Sequence, residues 1–446
     1  MKSMFGVIIN AFRIPELRKK ILVTILLVIL FRMGCFIAVP VLNEGALTTL
    51  AQSGLFNLYN IMSGNAFANA SLFAMGISPY INASIIMQLL TVAIPALERL
   101  QKEGEEGRKK ISMITRYVSV ALGLFQAIML YFNLKDSGVL INLAGETVTG
   151  FDFFSFIVLV LSFTAGTAVV VWLGEKITEL GIGNGISLLI FAGIIAGVPS
   201  VAGYLYSIAT STDVIKAALV WRIVVIVAII IVFLAVIAAV VWMESGERRI
   251  PVQYAKRVVG RKVYGGQNTH IPLKVNSSGV LPIIFAMSLL QFPSTIAAFI
   301  APNGNFAKSL NNFASSWWYL LVYAVLIVAF TFFYNMVYFD PVDMANNLKK
   351  NGGFVPGLRP GRTTADYIKN SSRKITWFGS IFLAVLAITP SLIQKITALI
   401  SPESGIGNMN LWIGGTTVLI LVGVALETVR QIEAQMLMRH YKGFLE

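Results

Sequence analysis

The chain has little charge for its length. Of its 446 residues, 13% are Asp, Glu, Lys or Arg, against about 25% in a soluble domain, and the mean hydropathy is +0.76. Residues 45–97 form a run of 53 without a single Asp, Glu, Lys, Arg or His, although one helix needs only about 20 residues to cross a bilayer. The one cysteine, Cys35, excludes an internal disulfide. There are two histidines, His270 and His440, with no H-E-x-x-H pair, which removes the zinc-protease motif. Neither lies at membrane depth, so a rhomboid-type Ser and His pair is missing as well. No G-x-x-x-x-G-K-[ST] cradle for nucleotide phosphates occurs. The reading is of a chain that is not an enzyme, with no cofactor and no metal.

What the chain does have is apolar length. Ten segments of helical length stand out, at roughly 21–40, 73–94, 113–133, 152–172, 182–203, 217–241, 279–300, 317–338, 375–395 and 411–429. Strands of a membrane barrel would be about half as long and would alternate in polarity. The fold class is therefore an all-α polytopic membrane protein of ten transmembrane helices. The first segment lacks a small-residue cleavage site and reads as a span ending at Ala38 to Pro40, not as a secretory leader. Of 35 Lys and Arg, 29 fall in the two termini and the connections on the same side as them, so the positive-inside bias puts both termini in the cytoplasm.

Two of these basic connections exceed what topology requires. Residues 243–275 carry seven basic and two acidic residues, and residues 339–374 carry seven and three. The first alternates apolar and polar residues at 250–254 and around 258–264, which predicts a protruding hairpin. The second contains KKNGGFVPGLRPGR, a Gly and Pro turn series that holds Arg359 between Leu358 and Pro360. Clustered Arg binds phosphate and carboxylate well, so these loops fit docking of a large anionic or acidic partner such as ribosomal RNA or a motor protein.

The neutral run divides in two. Residues 54–71, GLFNLYNIMSGNAFANAS, carry Asn57, Asn60, Asn65 and Asn69, and residues 72–97 read as a Pro-interrupted apolar helix. Polar backbone of the first kind cannot face lipid tails; it must be buried in protein or line a water-filled cavity. In the second part Ile77, Ile81 and Ile85 recur at i, i+4 on one stripe, and Pro79 frees a backbone carbonyl and can bend the helix. Stiff β-branched side chains gathered in a ring can hold a constriction dry without a charged filter; an isolated stripe is more often ordinary core or lipid-facing surface.

The alternative is an ion-coupled secondary transporter of a small solute, since discontinuous helices also build such sites. Transporters usually keep ionisable residues within their spans. Here Asp152, Glu175, Arg222 and Glu427 fall near span ends, and Arg32 is the exception, either bonding backbone carbonyls or snorkelling.

Five phrases carry a family resemblance: SGNAFANASLFAMGISPYINASIIMQLLT, KEGEEGRKKISMITRY, GIGNGISLLIFAGI, QNTHIPLKVNSSGVLPIIFA and NLKKNGGFVPGLRPG. In this order and over essentially the whole chain they resemble the bacterial SecY family, channel subunits of the SecYEG translocon. Ser78 stands where that family often has Met, and Asn65 where a second Gly is usual. The resemblance implies two pseudo-symmetric inverted halves, residues 1–205 and 206–446, closing like a clamshell around a central pore and hinged near 204–216. It implies a pore ring of Ile77, Ile81, Ile186, Ile190, Ile284 and Ile420. It implies a plug over about 56–66, including Phe56, Asn57, Asn60, Ser63, Gly64 and Asn65. A lateral gate would involve Asn82, Gln88, Thr91 and Phe292. SecA or the ribosome would dock through Arg249, Arg257 and Arg359. The implied partners are SecE, SecG, SecA, the ribosome, signal peptides, nascent chains and membrane lipid, and the implied location is the bacterial cytoplasmic membrane.

Overall fold

Long apolar runs satisfy their own backbone polar groups only as helices, and helices dominate the chain. The computed structural model describes residues 4–50, 60, 63–142, 146–148, 150–199, 202, 203, 206, 210, 219–254, 257–259, 262–264, 268–276, 279–300, 304, 306, 309, 310, 312, 313, 316–400 and 415–442. The helices are α1 (Met4–Arg13), α2 (Pro15–Gly34), α3 (Glu44–Leu50), α4 (Ser78–Ala93), α5 (Pro95–Lys102), α6 (Glu105–Asp136), α7 (Phe153–Leu180), α8 (Gly185–Ala196) and α9 (Leu219–Ser245). Strands β1 (Glu247–Tyr254), β2 (Arg257–Val259), β3 (Lys262–Tyr264) and β4 (Asn268–Lys274) follow, then α10 (Leu281–Ile300), α11 (Trp317–Tyr338), α12 (Pro341–Lys350), β5 (Gly353–Phe354), α13 (Arg362–Ile400) and α14 (Gly415–Lys442). Among the described residues five helices are long and apolar enough to cross a membrane, and a sixth if α4 and α5 are counted as one bent span.

By internal contacts the chain forms two compact units. One comprises Met1–Asp213, Gln291–Asn312 and Ile420–Glu446; the other comprises Val214–Leu290 and Phe313–Leu419. In the first unit α6 packs on α4 and α7, while α7 also packs on α2 and α8. Phe67, Tyr131, Leu134, Leu159 and Phe163 lie at its core, each fully buried. Arg116 on α6 reaches Glu175 on α7 with two contacts, Nε to Oε1 at 3.0 Å and Nη2 to Oε2 at 2.6 Å. In the second unit α11 packs on α13, joined by Asn335 bonding to both Ser372 and Thr376.

The span edges differ from the sequence reading in an instructive way. The first long helix ends at Gly34, and Ala38 forms a β-bridge with Ser71 instead of extending the span. Residues 72–77 are turns, and the second apolar helix begins only at Ser78. Pro79 therefore occupies the first turn of α4 and starts that helix, where its missing N–H leaves nothing unpaired. The break falls at Pro95: Ile94 is extended (φ −106°, ψ 113°), as a residue before proline prefers, and α5 leaves α4 at 99°.

Candidate functional site

The uncharged segment folds as a hydrogen-bonded knot within the first unit. Asn60 is its hub: its side chain accepts from the Ala68 N–H (3.0 Å) and donates to Asn65 Oδ1 (3.2 Å), and its carbonyl accepts from the Asn65 N–H at 2.8 Å. Ser63 Oγ donates to that carbonyl and accepts from the Phe67 N–H, both at 3.2 Å. The Ala66 carbonyl takes both the N–H and the Oγ of Ser71. The knot is pinned to the end of α2 by Val39 N–H to the Ala70 carbonyl (2.8 Å) and Leu72 N–H to the Ile37 carbonyl (2.9 Å). Ser63 and Ser71 are fully buried. Among the described residues of this segment, Gly64, Ala66, Phe67 and Ala70 are buried as well, and Asn60, Asn65, Ala68 and Asn69 are half-buried, with the bonds above pairing their polar groups inside the protein.

Two close approaches set its position. A Cβ on Gly166 of α7 would lie 2.0 Å from the Leu72 carbonyl oxygen, so only glycine lets the chain lie on that helix. A Cβ on Gly64 would lie 2.6 Å from the Gly193 Cα of α8 and 2.7 Å from Arg32 Nη1, and Gly64 has φ +67°.

The expected site residues fall as follows. Phe56 and Asn57 lie outside the described residues, as does most of 204–216. Ile77, at the N-cap of α4, and Ile81 are buried, joined by an Ile81 N–H to Ile77 carbonyl bond of 3.0 Å that keeps helical spacing between them. On α8, Ile190 is buried and Ile186 is half-buried, close to Gly174 of α7. Ile284 on α10 and Ile420 on α14 are half-buried. On α4, Asn82 is half-buried, Gln88 donates to Ser84 Oγ (3.3 Å), and buried Thr91 gives its hydroxyl to the Gln88 carbonyl at 2.7 Å. At about 100° per residue Asn82 and Thr91 stand half a turn apart, so only one of them can face a given neighbour. Phe292 on α10 is 50% exposed.

The two basic connections, read from the sequence as separate loops, are one folded body in the second unit. Strand β1 pairs antiparallel with β4 from Glu247↔Lys274 to Gln253↔Asn268, and its far end pairs with β5 at Gln253↔Phe354 and Tyr254↔Gly353. The sheet order is β4-β1-β5. Ile250, Val252, Leu273, Val355 and Ile368 form its own small core, with Met344, Leu348 and Leu358 against them. Alternation along β1 sends Ile250 and Val252 inward and Arg249 outward, where Arg249 Nε contacts Glu247 Oε1 at 2.7 Å. Arg257 sits in β2, opposite Tyr264 of β3; its side chain is outside the described set. Arg359 is exposed in a turn between Gly357 (φ +83°) and Gly361 (φ +108°), with its carbonyl held by Thr364 Oγ1 at 2.9 Å.

The family model for SecY matches residues 71–429. The chain belongs to the SecY family. It is 43% identical to the protein translocase subunit SecY of Thermotoga maritima, covering 98% of this chain and 97% of that one. It is also 43% identical to the corresponding subunit of Bacillus subtilis, covering 99% and 100%. Among solved structures it shares the fold of a protein conducting channel (TM-score 0.63, 18% identity, 94% of this chain and 92% of that one). It likewise shares the fold of Sec61 in the canine ribosome-channel complex from the endoplasmic reticulum (TM-score 0.56, 17% identity, 94% and 92%).

Asn65, at a position where the resemblance implies glycine, has φ +68°, and Asn is among the few non-glycine residues that enter this region readily. Of the two outcomes expected for Arg32, it takes the backbone carbonyl; which carbonyl it meets, and that Cys35 lies beside it, sequence reasoning missed. Arg32 Nη1 donates to the Gly64 carbonyl at 2.9 Å, and Cys35 Sγ lies 3.8 Å from the Ser63 carbonyl. The only signal in the sequence was a lone arginine inside an apolar span.

Proposed function

We propose that the chain is the channel-forming subunit of a bacterial protein translocase, conducting unfolded secretory polypeptides across the cytoplasmic membrane and releasing transmembrane segments sideways into lipid. The observation that carries this reading is the neutral knot at residues 60–77. From residue 64 to residue 77 it runs as turns, a bend and one bridge, and it is uncharged and internally hydrogen bonded among apolar helices, as a displaceable stopper has to be. A fixed charge there would hold water where a resting channel must be sealed. The commitment of Glu175 to Arg116 is support of a second kind, because ion-coupled transport needs an acid left available to its cation.

In this reading ten spans form two halves, 1–205 and 206–446, with both termini cytoplasmic. The plug covers about 56–66, and the isoleucines at 77, 81, 186, 190, 284 and 420 close around a threading chain by van der Waals contact without sequence preference. Signal helices enter between α4 and α10 near Asn82, Gln88, Thr91 and Phe292. SecE and SecG complete the channel, and SecA or the ribosome supplies the work through Arg249, Arg257 and Arg359. Relatives named as translocase subunits and a ribosome-bound neighbour of the same fold support these assignments.

The test is reconstitution. Vesicles holding the chain with SecE and SecG should carry a signal-bearing preprotein into a protease-protected lumen when SecA and ATP are added, and Ile420→Asn should raise ion leak and admit defective signals. No protected chain, or proton- or sodium-driven uptake of a small solute instead, would overturn the reading.

A further inference from the structure

A cation among apolar helices is expensive and is normally neutralised by an acid. Arg32 is in the last turn of α2, and among the described residues no ion pair involves it. Its contacts are the Gly64 carbonyl, at 2.9 Å from Nη1, and the face of Phe36, at 5.8 Å. One turn further along, Cys35 Sγ approaches the preceding carbonyl, Ser63, at 3.8 Å. The end of α2 thus offers two donors, three residues apart, to two consecutive carbonyls of the knot. Gly64 presses as close as a residue without a side chain allows, since a Cβ there would sit 2.7 Å from Nη1.

We propose that Arg32 is the latch of this segment, a positioning residue that holds the Gly64 carbonyl in the shut arrangement and exchanges it for water when the segment leaves. The chemistry suits a reversible hold. A bond from a charged donor to a neutral carbonyl is stronger than one between neutral groups, yet lacks the permanence of a desolvated ion pair. A carboxylate at position 64 would lock; a neutral donor at position 32 would hold weakly. This function rests on reading residues 60–71 as part of the stopper, whereas the contact itself does not.

Cys35 is the only cysteine in the chain and is buried beneath Ser63, so its labelling by a maleimide reports departure of the knot without an engineered probe. In vesicles holding the full complex, Arg32→Leu should speed labelling roughly 10- to 100-fold, the factor carried by a charge-assisted bond, and Arg32→Lys should restore part of the protection. Losing a neighbouring cation disfavours the reactive thiolate, so a faster rate cannot come from electrostatics. Arg32→Gln, a neutral donor in the same place, stands in if Arg32→Leu does not fold and should speed labelling in the same direction by a smaller factor. Unchanged labelling in Arg32→Leu, or in Arg32→Gln where it stands in, overturns the latch, as does equal labelling of the Leu and Lys variants. Ion conductance is recorded in parallel: faster labelling with no leak keeps the latch and removes the stopper reading.

Discussion

The neutral knot, residues 63–77 with Asn60, and the basic body built from β1, β4, β5 and the turn at Arg359 both interrupt the run of long helices, and they are stabilised in opposite ways. The neutral knot has little apolar core of its own; its polar groups are paired internally and its place is fixed by α2, α7 and α8. The basic body has a private core of Ile250, Val252, Leu273, Val355 and Ile368 and turns its charges to solvent. Their left-handed glycines show the same contrast: a Cβ on Gly64 would meet backbone at 2.6 Å, whereas one on Gly357 or Gly361 would meet nothing within 4 Å. In the knot glycine is needed for room as well as torsion; in the body it is needed for torsion alone. A part that must leave its site is held by its surroundings, and a part that must present a surface is held by itself.

The sharpest test of that contrast is to empty the private core. Ile250→Ala should destabilise the basic body by about 3 kcal/mol, opening residues 247–274 to limited proteolysis while Cys35 stays as slowly labelled as in the parent chain. If Cys35 becomes reactive, the two regions are energetically joined and the contrast fails. Next in size is Gly166→Ala, whose methyl meets the Leu72 carbonyl. Backbone cannot yield as a side-chain tip can, so about 2 kcal/mol of overpacking strain is expected, read as faster Cys35 labelling with an unchanged proteolytic pattern in the body. Smaller again is Asn65→Ala, which keeps the left-handed backbone but loses both the tolerant residue type and the bond from Asn60. About 1 kcal/mol should be lost, visible in thermal unfolding of the purified complex, and Asn65→Gly should lose less.

These regions were not equally legible in the sequence. The knot announced itself because a 53-residue absence of charge in a helical membrane chain admits few explanations, and its Asn and Ser content required either burial in protein or a water-filled cavity. Its hold on α2 did not, because the carbonyl that Arg32 grips lies 32 residues away and carries no side-chain signature. Alternation marked strands at 250–254 and around 258–264, but β1 pairs with β4, beyond that alternation, while β2 and β3 pair with each other, and the union with the second loop rests on β5, two residues long and about 100 positions from its partner strand, too short to have a pattern. Pro79 and Pro95 show a third limit. Proline marks a discontinuity, and whether it starts a helix or ends one depends on where the preceding turn is anchored; here Ser71 and Leu72, tied to Ala38 and Ile37, decide it.

Arg359→Glu has the smallest structural effect and sharpens the contrast from the functional side. Its side chain is exposed, its carbonyl bond from Thr364 survives any substitution of the side chain, and Gly357 and Gly361 set the turn regardless of the residue between them. The change in stability should therefore stay within about 0.5 kcal/mol. Charge reversal should nevertheless stop SecA-driven export, since a carboxylate would face whatever acidic surface the arginine serves. The measurement is ATP-dependent import into vesicles beside a melting curve of the same preparation. Lost import with an unchanged melt assigns Arg359 to the docking surface, whereas normal import removes it. A lowered melt would mean that this turn, like the knot, depends on contacts beyond its own backbone, and the division between a self-held surface and a surroundings-held stopper would have to be redrawn.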